Sequence, residues 1–299
     1  MLDKDGNFVA GLPQTKFHVF DKGVEQPIQF FSPVEVPAQV LVVLETSPAV
    51  YLISNQHLAA AYALVEGLAP DDQVALVTYN ETPRTALSFT SDKSALLAAL
   101  GKIQYNLGMA NLNFYDSVSA VLDWLAPLTG KREIVLLTTG LDSSPPSRWD
   151  ALVNKLRGED VVIFSVALGG PLRIQSKKKT NRKKATASPA GDEKSGVEAG
   201  LAKSEEAFAE ADQALRSLAA ITGGRAYFPQ SDGDFAPMYR QIASALRHEY
   251  VLGIAPAEDN QFHALTVEVD SNGQQPDHSH SKRPAYRVLA RSGYLAPGP

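Results

Sequence analysis

The stretch Val40-Leu41-Val42-Val43-Leu44-Glu45-Thr46-Ser47-Pro48-Ala49 decides the fold. Its unbroken apolar run leaves no polar face for solvent, so residues 40–44 read as a strand buried on both faces of a parallel sheet. The run ends on a carboxylate and two hydroxyls. That is where an open α/β sheet turns its loops toward a ligand, at the carboxyl ends of its strands.

Outward from this strand, strand-like and helix-like segments alternate. A helix is predicted over 58–68, strands over 74–79 and 85–89, and a helix after the N-cap candidate Ser91. Residues 114–125 set Val118, Val121, Leu122 and Leu125 on one helical face. A buried strand at 134–137, a helix at 149–156 and a strand at 161–168 follow. Further on, 205–220 reads as a helix stopped by Gly223-Gly224, 226–228 as a short strand and 235–247 as a last helix. This order predicts a doubly wound, mostly parallel α/β sheet with helices on both faces and right-handed crossovers.

The flanks carry β signals. Residues 8–9, 16–20 and 27–31 lie around the turn Asp21-Lys22-Gly23, and 250–254, 265–269 and 286–290 follow the last helix. Neither set can bury its own apolar face, so both are expected to pair into one small β module, residues 1–34 plus 249–299. The α/β domain, 35–248, would be inserted in it. Residues 171–203 are poor in large apolar side chains and crowd Lys177, Lys178, Lys179, Arg182, Lys183 and Lys184 together. They are expected to form a mobile polar insertion.

Composition narrows the function classes. A chain of 299 residues, 44% hydrophobic and 20% charged, matches a folded globular protein. Twenty-eight Lys and Arg against 33 Asp and Glu leave a net charge of -5, a field that repels nucleic acid and anionic lipid. With no Cys, disulfides, thiolate nucleophiles and Cys-ligated metal centres are excluded. No apolar stretch approaches the ~18 to 20 residues that insertion across a membrane requires. Met1-Leu2-Asp3-Lys4-Asp5-Gly6 has neither the basic nor the apolar region of a leader. Export is expected if a leader has been removed, and a cytoplasmic location otherwise.

Three fragments, Val40 through Ala49, Phe114-Tyr115-Asp116 and Ile134-Val135-Leu136-Leu137-Thr138-Thr139-Gly140-Leu141-Asp142, together resemble the von Willebrand factor A (VWA) domain. The flanks extend the likeness to the bacterial VWFA-related family: Gln26-Pro27-Ile28-Gln29-Phe30-Phe31, Leu218-Ala219-Ala220-Ile221-Thr222-Gly223-Gly224-Arg225-Ala226, Tyr250-Val251-Leu252-Gly253 and Arg291-Ser292-Gly293-Tyr294. The order and spacing of the fragments carry the likeness, which spans nearly the whole chain.

That resemblance implies a metal-ion-dependent adhesion site, in which a D-x-S-x-S loop, a Thr and an Asp hold Mg²⁺. Here Glu45 stands for the first Asp, Ser47 matches the first Ser and Ala49 replaces the second. Leu112, between Asn111 and Asn113, falls at the Thr position, and Thr139 replaces the last Asp. Mg²⁺ demands near-ideal octahedral oxygen ligands at about 2.0 to 2.1 Å, and this set offers one carboxylate and one hydroxyl. No metal is therefore expected; if one binds, Glu45, Ser47 and Asp142 are the residues to hold it.

Glu45, Asp116 and Asp142 were weighed as general acid and base, with Asp116 expected to cap or solvate its helix and Asp142 to be a loop residue. G-x-S-x-G, a phosphate-cradling glycine loop and H-E-x-x-H are all missing. Asp277-His278-Ser279-His280 and the basic cluster at 177–184 read as solvated loops, the latter lacking interleaved aromatics. Trp124 is expected in the core, and Trp149 and Tyr51 as exposed anchors. The sequence therefore points to a non-enzymatic scaffold that binds a protein partner through apex residues Glu45, Thr46, Ser47, Tyr51, Asn111, Asn113, Thr139, Asp142 and Trp149. The alternatives are a metal-dependent adhesion module with a remodelled site and a hydrolase using apex carboxylates. No oligomeric state is assigned.

Overall fold

The computed structural model describes all residues except 4–7, 35–36, 52, 108–110, 171, 173–190, 271–285 and 299. The chain opens with β1 (Phe17–Asp21), β2 (Val24–Gln26), β3 (Phe30–Val34) and β4 (Ala38–Glu45). Then come α1 (Pro48–Tyr51), α2 (Ser54–Gly67), β5 (Gln73–Tyr79), β6 (Arg84–Thr90), α3 (Lys93–Leu100) and α4 (Phe114–Leu125). The second half runs β7 (Lys131–Thr138), α5 (Pro146–Gly158), β8 (Val162–Ala167), α6 (Gly191–Thr222), β9 (Ala226–Tyr227) and α7 (Phe235–Arg247). It closes with β10 (Glu249–Gly253), β11 (Phe262–Val269) and β12 (Gly293–Leu295).

Six strands form the central sheet in the order β6-β5-β4-β7-β8-β9, parallel throughout except for the antiparallel edge strand β6. Strand alternation sends Val40, Val42 and Leu44 to one core and Leu41 and Val43 to the other. The first core is closed by α2, α3 and α7, the second by α4, α5 and α6. Each fully buried large side chain contributes about 1.5 to 3 kcal/mol. In α7, Phe235, Tyr239, Ile242 and Leu246 recur at helical spacing and are all buried. That helix crosses α2 at Gly67, where an added Cβ would lie 2.2 Å from the Ala243 Cβ.

Both flanks pair as antiparallel sheets, β12-β11-β1-β2 and β10-β3, so each sheet joins an early strand to a late one. The rings of Phe17, Phe31 and Tyr250 meet between them, with Phe17 and Tyr250 centroids 4.9 Å apart. Buried His263 ties the larger sheet together. Its Nδ1 lies 2.7 Å from Asp21 and its Nε2 3.0 Å from Asp259, while the Tyr294 hydroxyl donates to Asp21. Asp259 first, then Asp21, hold the imidazole above its ordinary range.

Four expectations are corrected. The N-cap of α3 is Asp92, one residue beyond Ser91, because its carboxylate reaches the backbone N–H groups of Ser94 and Ala95. Residues 286–290 form no strand; Arg287 makes a single bridge to Leu2, and the strand lies instead at β12, where Gly293 lets its backbone approach His263. Helix α6 starts at Gly191, so 191–203 is helical rather than looped. Its Glu, Lys, Ala and Leu residues are strong helix formers that need no core. Trp124 is 36% exposed, since it lies off the inward stripe of α4, and it stacks on Phe89 at 5.4 Å. The basic cluster at 177–184 and the His278/His280 turn fall outside the described residues.

Candidate functional site

The strand order runs outward both ways from β4, so the switch point lies between β4 and β7 at their carboxyl ends. Glu45 ends β4 there, with its backbone in register with Tyr79 of β5. Thr138 ends β7, whose preceding residue Leu137 is paired with Leu44. Three polar residues on adjacent strands thus meet at one point.

Glu45 is wholly buried, and every contact of its carboxylate is one in which it accepts a hydrogen bond. Ser47 donates its hydroxyl to Oε1 at 2.5 Å. Oε2 receives the Thr138 hydroxyl at 2.9 Å, the Thr139 backbone N–H at 2.7 Å and the Thr139 hydroxyl at 2.8 Å. With the Thr138 proton committed to Glu45, the Tyr79 hydroxyl donates to the Thr138 oxygen, 2.5 Å away. Burial and the Glu45 charge hold the Tyr79 phenol well above its ordinary range. Gly140, at φ +72, lets the turn after Thr139 close against Leu215 of α6.

The loops around this point are stitched to one another. Thr46 donates its N–H and hydroxyl to the Tyr79 carbonyl, and its own carbonyl accepts from the Asn106 N–H. Leu112 and Ser143 bond through both backbones and the Ser143 hydroxyl. Asn113 donates its side-chain amide to the Glu81 carbonyl at 2.9 Å. Asp142 accepts the Tyr115 N–H at 2.8 Å, satisfying an orphan donor at the start of α4, and also accepts from Ser144. Among the described residues the Glu45 and Asp142 carboxylates share no donor.

The residues singled out from sequence therefore separate. Glu45, Thr46, Ser47 and Thr139 are buried, so they have no surface to offer a partner. Asn113, Asp142 and Trp149 are half-buried, Trp149 lying against Tyr115 with centroids 5.3 Å apart. Tyr51 is exposed and meets Tyr105 edge-on, and Asn111 and Leu107 are exposed beside it. Asp116 pairs with Arg148 at 3.5 Å on the surface. Sequence reasoning missed Thr138 and Tyr79; the signal was a polar residue ending each strand next to β4.

A Mg²⁺ ion does not fit this arrangement. Positions 49 and 112 carry no side-chain oxygen, and the hydroxyls of Ser47 and Thr139 point their protons at Glu45 rather than lone pairs at a cation. Among the described residues no group of three or more His, Asp or Glu is placed to hold a metal. No helix among them is long and apolar enough to cross a membrane.

An open parallel sheet of this order, with its loops clustered at the switch point, is the architecture of a Rossmann-like adhesion domain. The model of the von Willebrand factor type A domain family matches residues 40–234, more than half of the chain, and the chain belongs to that family. Domains of this family commonly mediate protein–protein interaction or adhesion. Among solved structures, BatB from Bacteroides thetaiotaomicron is similar at 20% identity over 43% of this chain and 66% of that one, with a TM-score of 0.35. A von Willebrand factor type A protein from Catenulispora acidiphila gives 12% identity over 82% and 48%, with a TM-score of 0.48. The vWF domain of the type V pili tip protein Mfa5 from Porphyromonas gingivalis gives 12% over 71% and 96%, with a TM-score of 0.47. The chain thus spans less than two thirds of the first two. No curated protein sequence matches it.

Proposed function

We propose that this chain is a non-catalytic scaffold that binds a protein partner through its apex loops, without a bridging metal. The observation that carries the reading is the Glu45 carboxylate, buried and saturated by Ser47, Thr138 and Thr139. An adhesion metal would need those oxygens free. The internal network takes over the ion's structural task of holding the loops from β4 and β7 together, and leaves contact to exposed neighbours, chiefly Tyr51, Leu107 and Asn111. Exposed aromatic and aliphatic side chains on a rigid frame suit a protein hot spot. The same reading takes residues 35–248 as the binding unit and 1–34 with 249–299 as the β module that carries it.

The test is photo-crosslinking from position 51 in cell extract, with and without EDTA, followed by recapture of the crosslinked partner. Wild type should recover the partner equally in EDTA, and Tyr51→Ala with Leu107→Ala should lower recovery at least tenfold. EDTA-sensitive recovery, or recovery indifferent to the double substitution, overturns the proposal.

A further inference from the structure

On the opposite side of the molecule from the apex, a cavity of about 440 Å³ lies between the amino end of the central sheet and the two outer sheets. Its volume falls in the range of small-molecule sites, roughly 300 to 1,000 Å³. Phe17 and Val19 of β1, Leu265 and Val267 of β11, and Phe164 of β8 supply apolar wall, and Glu133 of β7 supplies a polar end. Alternation along β7 puts Glu133 on the same face as Val135 and Leu137, which is the face that turns toward this cavity.

Glu133 is 1% exposed, and its Oε2 has no hydrogen-bond partner. Oε1 lies 3.3 Å from the Lys131 ammonium, which also meets the Leu246 carbonyl at 2.6 Å and Glu249 at 3.6 Å. A buried carboxyl oxygen without a partner is uncommon in a native interior and calls for an explanation. Apolar interiors are otherwise close-packed, so an apolar space of this size ending on an unpaired carboxyl has the form of a ligand site.

We propose that this cavity binds a single acyl chain, its tail against Phe17, Leu265 and Val267 and its carbonyl oxygen accepting a hydrogen bond from Glu133. Burial pushes the Glu133 carboxyl up to about 8, so near neutral pH it carries the proton needed to donate. The charged groups facing it are Lys131 on its own strand, Glu249 on β10 and Asp72 before β5; His248, Asp160 and Arg291 also line the cavity. Lys131 lowers the Glu133 value while Glu249 and Asp72 raise it, and burial outweighs all three.

Calorimetric titration of the full chain with laurate, methyl laurate and dodecylamine tests the proposal. Laurate or its methyl ester should bind one per chain, the tighter of the two distinguishing a free acid from an ester. Dodecylamine, whose ammonium offers no acceptor, should bind at least tenfold more weakly. Val267→Trp, which fills the cavity, should abolish uptake, and Glu133→Leu should weaken it at least tenfold. Glu133→Gln keeps a donor and should stay within threefold of wild type. Should the larger substitutions fail to fold, the pH profile decides: wild-type affinity falls above about pH 8 as the carboxyl loses its proton, and that of Glu133→Gln does not. No uptake by wild type, uptake unchanged by Val267→Trp, equal binding of dodecylamine, or matching pH profiles for wild type and Glu133→Gln would each overturn it.

Discussion

Thr139 donates both its backbone N–H, at 2.7 Å, and its hydroxyl, at 2.8 Å, to the same oxygen of Glu45. The residue standing where the family resemblance implies a metal-binding Asp is thereby turned inward. A carboxylate there would face Glu45 and repel it; a hydroxyl with a spare proton completes its shell instead. The two departures from the family pattern are consistent with each other, and each makes the other tolerable.

Removing the acceptor should expose this dependence. Glu45→Ala leaves the Ser47, Thr138 and Thr139 donors without their shared partner in a buried site, and a loss of about 3 kcal/mol is expected. Glu45→Gln should lose less, since its amide oxygen still accepts. Urea denaturation of the two variants checks the order; a Glu45→Ala transition coinciding with wild type would contradict the assignment.

Metal binding should be recoverable only by changing several positions together. Wild type should show no thermal shift in millimolar Mg²⁺. The combination Glu45→Asp, Ala49→Ser, Leu112→Thr and Thr139→Asp restores the oxygen set, and at a hundredfold excess over Kd the ion should add about 2.7 kcal/mol. Differential scanning fluorimetry with and without EDTA reads both.

Stability should fall as pH rises on the alkaline side of neutrality. Glu133 titrates near 4.5 when unfolded and at about 8 when folded, so between those values the native state holds the proton that the unfolded chain has released. The slope approaches ~1.4 kcal/mol per pH unit within that window and should flatten in Glu133→Gln. His263, whose folded value is also raised, contributes stability that is present below its ordinary range and lost as pH climbs through the folded value. Its share is separated by His263→Gln. Chemical denaturation at a series of pH values measures both.

Substituting Gly67 should loosen the contact between α2 and α7. A valine there drives its Cβ into that of Ala243 and forces the helices apart, at a cost of about 1 to 3 kcal/mol. Gly67→Val paired with Ala243→Gly should recover part of the loss, read as a non-additive thermal shift.

The central strand was legible because residues 40–44 are uniformly apolar, and α4 and α7 because their spacing is helical. The candidate site was half legible. Glu45, Ser47 and Thr139 stood out in a loop pattern, but Thr138 and Tyr79 reach Glu45 only through strand register, which no local window contains. Asp142 read as a loop residue because the N–H it satisfies, that of Tyr115, belongs to a helix that precedes it in the chain. Residues 191–203 misled because low apolar content signals absent packing, whereas helix formation there follows from backbone propensity.

Pairing β1 with β11, Phe17 opposite Val269, has a consequence for biosynthesis. During translation the early strands leave the ribosome long before their mates have been made, and loop closure over such a separation is slow. Phe17, Val19 and Phe31 therefore spend that interval without their native shelter, an aggregation hazard on which a holding chaperone would act.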